Sequence, residues 1–399
     1  MLIGFDQIPS GANVSAADRD KARVFAAICE SEDATRKRLA ARMKLRPTTV
    51  SQLVKELIED GVIRESQRVD AERQGRPEIL LQPCPERFCV LMVHVVSHDI
   101  RCSLVDMAGR VISEDMTQLN DKEADNRVIY DRICALVDSV RAHAPEATEI
   151  LGIGIAVPGI IDSANRRWVY SARWPAMRSL SFDEIADHTG LSIRADRNLN
   201  LELTTRLMRK PEEREGGVLF IHWGYGIGSA YAWKGMVIES SIGSFGEFGH
   251  WSVHAGAGRQ CHCGEEGCLE AVAALWALLP EIREQFPDAP SDESAFEAYM
   301  KQHGLSGHPA IVRAVEAFIP ALANLNKAFF ADRIVLTGPL ASSPEIFERL
   351  RQGFDALMPE YARGKCALYL ARQGAQDVTQ GATLPFFQSR MHEIFLRHD

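Results

Sequence analysis

The stretch QCHCGEEGCLE, residues 260–270, gathers Cys261, Cys263 and Cys268 into one short, glycine-punctuated segment of a chain with nine cysteines in 399 residues. Cys261 and Cys263 sit one residue apart, and Gly264 and Gly267 let the chain turn so that Cys268 rejoins them. Three thiolates at this spacing suggest zinc, and a structural zinc site takes four soft ligands, commonly three cysteines and a histidine. His250, which ends the separate glycine-rich segment GSFGEFGH, is the expected fourth ligand in preference to His254 and to His262, which lies between two of the cysteines. With four protein ligands no position stays open for water, so the ion would organise structure and hydrolyse nothing. A redox thiol cluster is the competing reading. Such a clamp would draw Glu247 and Glu270 towards one point, where paired carboxylates suit vicinal hydroxyls; taken alone, each is an ordinary solvated glutamate.

The remaining cysteines are scattered among apolar neighbours and read as buried structural thiols, and an odd total argues against a disulfide framework. The length implies two or three domains. Apolar runs are too short to cross a bilayer, and the opening MLIGFDQIPSGANVSAADRD lacks the order of a signal peptide, so a cytoplasmic location is expected. The net charge of −9 excludes wholesale coating of nucleic acid but not a local basic patch.

Such a patch lies near the start, where Arg36, Lys37, Arg38, Arg42, Lys44, Arg46 and Lys55 occur with no acidic residue among them. The surrounding apolar spacing predicts three short helices in a helix-turn-helix. Thr35 can cap the second helix, Pro47 suits the first turn of the third, and Val50, Leu53, Val54 and Leu57 form the third helix's buried stripe. Its opposite face offers Thr48, Thr49, Ser51, Gln52 and Lys55 to the major groove, where Gln52 can pair bidentately with adenine and Lys55 can hold a phosphate. Gly61 stops that helix, and VIRESQRVDAERQGRPEILLQP reads as a two-stranded wing whose Arg76 could enter a minor groove. A protein-interaction module with solvated charges is the bland alternative. A monomer on one half-site would bind weakly, so a dimer on a two-fold symmetric operator is expected.

Beyond Pro83 and Pro85 the chain reads as α/β, with β runs such as RFCVLMVHVV, EILGIGIAVPGIID and DRIVLTGPL separated by helical stretches. The acidic, proline-bearing PEIREQFPDAPSDESAF, residues 280–296, is expected as an insertion or mobile surface loop.

Together VSQLVKELIEDGVI, GRPEILL, GIGIAVPGIID, GYGIGSAYAWKGMVI, GSFGEFGHWSV, CHCGEEGCLEAVA, IVLTGPL and GATLPFF resemble the ROK family of repressors and sugar kinases, and in particular its regulators with an N-terminal winged helix. The resemblance spans nearly the whole chain. It implies a winged helix-turn-helix over residues 1–82, then a two-lobed actin-like, sugar-kinase-like module over 83–399 with zinc on His250, Cys261, Cys263 and Cys268 and sugar contacts at Glu247, His250 and Glu270. Two departures point away from phosphotransfer. Val96, Ser97 and His98 replace the kinases' phosphate-binding turn, and alignment of IRADRNLNLE places Arg197 and Asn198 on the Asn-Asp pair that supplies the general base. An alignment slipped by two residues would instead make Asp196 the base. Tyr225 stands where a small hydroxyl is usual near the phosphates. Arg197, with Arg173 nearby in the family frame, leaves two readings open: an anionic effector, or an Arg197 that merely pairs with Glu247, Glu270 or a surface carboxylate. The expected protein is thus a zinc-containing, sugar-responsive repressor, dimeric or a dimer of dimers, with effector contacts at Arg197, Asn198, Glu247, His250 and Glu270. A sugar kinase with an appended DNA-binding head is the alternative.

Overall fold

The computed structural model describes residues 15–69, 78–120, 124–240, 245–256, 258–371 and 375–395. Its N-terminal unit comprises α1 (Ala16–Cys29), α2 (Arg36–Met43), α3 (Pro47–Glu59) and the antiparallel pair β1 (Ile63–Val69) and β2 (Glu78–Pro83). Thr35 caps α2: its Oγ1 accepts from Arg38 N, and it donates to Glu78 Oε2 at 2.6 Å, tying the helix to the wing. Gly61, at φ +73°, supplies the left-handed residue just past α3 that a β-carbon would disfavour. Val50, Leu53, Val54 and Leu57 are buried, which turns Thr48, Thr49, Ser51, Gln52 and Lys55 outward, and all five are exposed. Arg76 lies outside the described residues.

The first lobe contains β3 (Phe88–Val96), β4 (Asp99–Asp106), β5 (Val111–Gln118), α4 (Asn126–Arg141) and β6 (Glu149–Val157). A small sheet of β7 (Ile160–Asp162), β8 (Arg167–Tyr170) and β9 (Leu180–Ser181) follows, then α5 (Phe182–Thr189) and β10 (Ile193–Arg197). Helix α6 (Asn198–Arg209) crosses to the second lobe. There β11 (Gly217–Trp223), β12 (Ile227–Trp233) and β13 (Met236–Val237) precede α7 (Glu270–Ala273), α8 (Leu275–Gln285), α9 (Glu293–His303) and α10 (Pro309–Phe329). The chain finishes with β14 (Arg333–Thr337), α11 (Pro344–Leu357), β15 (Ala367–Leu370) and α12 (Ala375–Phe395).

The two large sheets run β10-β6-β3-β4-β5 and β13-β12-β11-β14-β15. Read from its far edge, the second repeats the first: an antiparallel meander whose first strand is extended by two parallel strands. Parallel neighbours require helical crossovers, which α4 and α10 provide. Strand β3, FCVLMVHVV, is buried up to Val95, as a central strand should be, whereas edge strand β5 is largely exposed and polar.

The stretch 280–296 is not a loose insertion. It closes α8, turns, and opens α9, with Ile282, Ala289 and Phe296 buried in the second lobe's core. Pro280 lies at the middle of α8, where it has no N–H to donate to the preceding turn.

Helix α12 unites the molecule. Leu384, Phe386, Phe387, Met391, Ile394 and Phe395 join Val24, Phe25, Ile28, Leu39 and Leu57 of the N-terminal unit, with Phe88 and Val90 of β3, in one hydrophobic core. The rings of Phe25 and Phe395 lie 5.6 Å apart. Lys21, 3 % exposed, bonds Asp60 at 2.8 Å and the Ile394 carbonyl at 3.3 Å. Elsewhere α12 packs on α6, β6 and β3. Among the described residues no helix is long and apolar enough to cross a membrane.

Candidate metal centre and interlobe cleft

The loop that follows β13 crosses the second lobe through two close approaches. Gly246 adopts φ +89°, and a β-carbon on Gly249 would lie 2.2 Å from the Ile227 carbonyl oxygen, so glycine is required where the chain lies against β12. His250 then meets the cysteine loop, whose return is pinned by Leu269 N donating to Trp251 O and Val253 N donating to Gly267 O, both at 2.9 Å. The ligand atoms of His250, Cys261, Cys263 and Cys268 all lie within 4.8 Å of one another. His250 Nδ1 is 3.7 Å from Cys261 Sγ, and Cys263 Sγ is 3.8 Å from Cys268 Sγ. Those separations are the edges of a tetrahedron whose centre lies roughly 2.3 Å from each sulfur, so the group is shaped to hold a metal ion. Burial pushes the Cys261 thiol up and that of Cys268 to about 11, which a bound cation would reverse. His262 takes no part in the cluster: its ring stacks on Trp276 at 3.9 Å.

Two residues carry the cluster's geometry into the space between the lobes. His250 turns Nδ1 to the cysteines and Nε2 towards Glu247 Oε2, 3.9 Å away. A metal on Nδ1 would keep the imidazole proton on Nε2, aimed at the cleft. Glu270, at the start of α7 and 3 % exposed, accepts from Ile227 N at 3.0 Å and from Trp276 Nε1 at 3.2 Å, so the tryptophan under His262 also holds the glutamate.

The cleft encloses about 220 Å³. Arg197, Asn198, Glu247, His250 and Glu270 all line it, as do Arg173 and Tyr225. Glu247 Oε1 faces Arg197 Nη2 at 3.3 Å without a hydrogen bond, and burial raises its carboxyl against the pull of Arg197 and His250. Asn198 donates to Val95 O at 3.0 Å and keeps its Oδ1 buried and unpartnered. Arg197 behaves as a clamp: Nε donates to Gly159 O, and Nη1 to Ser229 O and Phe245 O. Of the two readings left open for Arg197, pairing with Glu247 is therefore the one its contacts support, and most of its donors serve backbone carbonyls from both lobes.

The sequence reading missed the opposite wall, where Asp292, Glu293, Ser294 and His222 line the cavity. Glu293 accepts from His222 Nε2 and from Tyr225 N, and His222 Nδ1 lies 3.2 Å from Thr337 Oγ1. Burial works against both charges, yet their pairing leaves the imidazole above its usual value and the Glu293 carboxyl below. The available sequence signal was slight: Asp292 caps α9 by accepting from Ala295 N, which marks the helix start but not the cleft.

Asp196 lies behind the cleft lining, where its Oδ1 accepts from Arg197 N at 2.7 Å and from Asn200 Nδ2 at 2.8 Å. Burial pushes its carboxyl from 3.8 up to about 6. A carboxyl raised on folding adds stability below 3.8 that is lost as pH rises through about 6. Asp196→Asn can keep both bonds, so its urea midpoint is expected to hold between pH 4 and 8 while the parent loses up to about 3 kcal/mol. Parallel pH profiles would refute this.

The profile described as ROK family matches residues 91–388. The chain belongs to the ROK family. A profile described as MarR family matches residues 17–76, the N-terminal unit. Among ROK-related proteins, the chain is similar to the DNA-binding transcriptional repressor Mlc of Escherichia coli strain K12, 23 % identical over 60 % of this chain and 59 % of Mlc. The match thus spans less than two thirds of that repressor's length. It is also similar to a glucokinase of Halalkalibacterium halodurans, 22 % identical over 68 % of this chain and 87 % of the kinase. A solved ROK family transcriptional regulator, described as a homologue of the E. coli Mlc protein, superposes with a TM-score of 0.64 at 19 % identity over 95 % of this chain and 97 % of that one. That likeness places the winged-helix unit and both lobes in a known ROK arrangement.

Proposed function

We propose that this ROK protein is a sugar-responsive DNA-binding transcription regulator, acting as a repressor in the cytoplasm, in which phosphotransfer has been lost. The observation that carries the reading is α12: it completes the core of the winged helix and packs on α6, whose first residue, Asn198, lies in the cleft. A ligand that favours one arrangement of the lobes can thereby bias the DNA-reading unit, and a coupling of about 1–3 kcal/mol would change operator affinity roughly 5–150-fold.

The polar groups of the cleft suit a small polyhydroxylated ligand. Glu247 Oε1 and Asn198 Oδ1 are buried acceptors without hydrogen-bond partners, and His250 Nε2 can donate. The ion that fits one nitrogen and three sulfurs at tetrahedral spacing is zinc, held by His250, Cys261, Cys263 and Cys268 and bracing the wall that carries Glu270. The amide at the position aligned with the family's general base supports the loss of catalysis. Asn198 is an amide and cannot accept the proton of an attacking hydroxyl, while Asp196 does not line the cavity. Incubation with labelled ATP, magnesium and hexoses is expected to give no transfer above background; transfer would reinstate the kinase reading.

On DNA, α3 presents Thr48, Thr49, Ser51, Gln52 and Lys55, with Arg76 in the wing completing the proposed contacts. The basic patch is already partly neutralised: Arg36 pairs with Glu65, Lys37 with Glu78 and Arg42 with Glu30, all distant in sequence, and Lys55 with Glu59 one turn along α3. These surface pairs cost about 0–1 kcal/mol each to exchange for phosphates. Among the described residues Lys44 and Arg46 have no such partner, so they are the expected phosphate anchors. Two copies on a palindrome, as a dimer or a dimer of dimers, would supply the affinity that one half-site lacks.

Selection of bound fragments from random-sequence DNA, followed by fluorescence anisotropy with and without sugars, tests the function. Gln52→Ala is expected to lose roughly 1–3 kcal/mol and relax preference at one base position, whereas Arg46→Ala should weaken all sequences alike and reduce the salt slope by about one. No selective enrichment, or affinity indifferent to every sugar, would overturn the proposal.

A further inference from the structure

The cleft is lined by Arg173 and Arg197 and by the carboxylates Glu247, Glu270, Asp292 and Glu293. Arg197 faces Glu247, His222 pairs with Glu293, and the Glu270 oxygens accept from Ile227 N and Trp276 Nε1. Arg173, on the segment between β8 and β9 of the first lobe, is 7 % exposed, yet among the described residues no carboxylate lies within 4.0 Å of its guanidinium. Its plane lies 3.3 Å from the ring centroid of Tyr225, which belongs to the second lobe. Nη1 reaches His98 Nε2 at 2.9 Å, and because a guanidinium only donates, that nitrogen accepts. The ring covers one face of the guanidinium, and Arg173 lines the cavity.

Glu293 attracts both His222 and Arg173, but no described carboxylate touches the buried guanidinium, and an anion bonded to it directly would offset its desolvation. Two further groups line the same cavity. Ser97 Oγ and Ser171 Oγ are buried, have no hydrogen-bond partner and belong to residues lining the same cavity. Ser97 is also held at φ +54°, an uncommon conformation for a residue with a side chain. Glu293 does not meet the need, since its carboxylate already serves His222 and Tyr225 N.

We propose that Arg173, Ser97 and Ser171 form an anion subsite in the interlobe cleft, so that the effector is a sugar carrying a phosphate ester or a carboxylate. The proposal rests on the sugar-cleft reading above and adds the ligand's charge. A fork of parallel N–H donors matches either group bidentately. Arg173 thereby replaces Arg197, whose donors are committed elsewhere, as the anion-recognising residue.

Calorimetry on the full-length, metal-loaded protein tests it with hexoses, pentoses and amino sugars, each beside its phosphate ester and its sugar acid. An anionic member is expected to bind at least about tenfold tighter than its neutral parent. Arg173→Gln should weaken the anionic member at least about tenfold more than its neutral parent, which removes the preference. Arg173→Lys, which keeps charge but not the fork, should retain part of it and serves alone if the Gln variant does not fold. The phosphate and acid arms identify which group is read. Equal or tighter binding of the neutral sugar, or equal weakening of both classes by either variant, overturns the subsite and leaves the sugar-cleft reading standing. Absence of binding by every sugar, neutral or charged, overturns that reading and the subsite with it.

Discussion

Removing the metal should abolish ligand binding by the cleft and lower the melting temperature of the second lobe more than any conservative substitution. A chelator strong enough to strip the four-ligand cluster leaves three thiols and an imidazole crowded within 4.8 Å, with nothing to hold the loop of residues 260–268 against the strand-like return at Val253. Apparent binding free energies of structural zinc reach about 10–16 kcal/mol in zinc-finger peptides, and binding of this kind is coupled directly to folding. In a lobe with an extensive core of its own the loss should be local. The effect on the cleft follows from two links: His250 loses the ion that sets its tautomer, and Glu270 loses the braced tryptophan, stacked on His262, that donates to it. Cys268→Ser should reproduce the chelated state, and elemental analysis of the untreated protein should find about one tightly held ion per chain. A chelated protein that binds sugar unchanged would refute the bracing role.

Substituting Phe387 by Ala should destabilise the protein by about 3–5 kcal/mol, the range for truncating a buried phenylalanine. Phe387 is fully buried and belongs to the core that α12 shares with the winged helix. The loss should fall on both functions, because the same cavity loosens the DNA-reading unit and the helix that packs on α6. Operator affinity is therefore expected to drop with α3 untouched, and amide exchange should accelerate in α1 and α3 before the sheets of the two lobes. Faster exchange spread evenly over the whole chain would contradict this order.

Much of this was legible in local chemistry. Thr35, Pro47, Gly61 and the stripe of Val50, Leu53, Val54 and Leu57 specify α2 and α3 within a few residues of themselves, and the structure has them so. The cluster of His250, Cys261, Cys263 and Cys268 that could hold a metal was equally legible, since the loop that brings three of them together is nine residues long and the fourth ends a glycine run. What escaped depended on contacts remote in sequence. Glu293 sits in a stretch whose prolines and acids imitate a surface loop, and only packing of Ala289 and Phe296 into the core turns it to the cleft. Arg197 lines the cleft, but the three carbonyls that hold it could not be seen in the sequence. The basic patch looked bare because its acidic partners arrive from α1 and the wing.

The shared core has a consequence for synthesis. The contact between Lys21 and Ile394 joins residues 373 positions apart, so the first unit to leave the ribosome lacks one apolar wall until the last helix follows. At about 5–20 residues per second, that interval is roughly 20–75 s. During it the N-terminal unit has only its own apolar residues to pack against, so its core is incomplete until α12 docks.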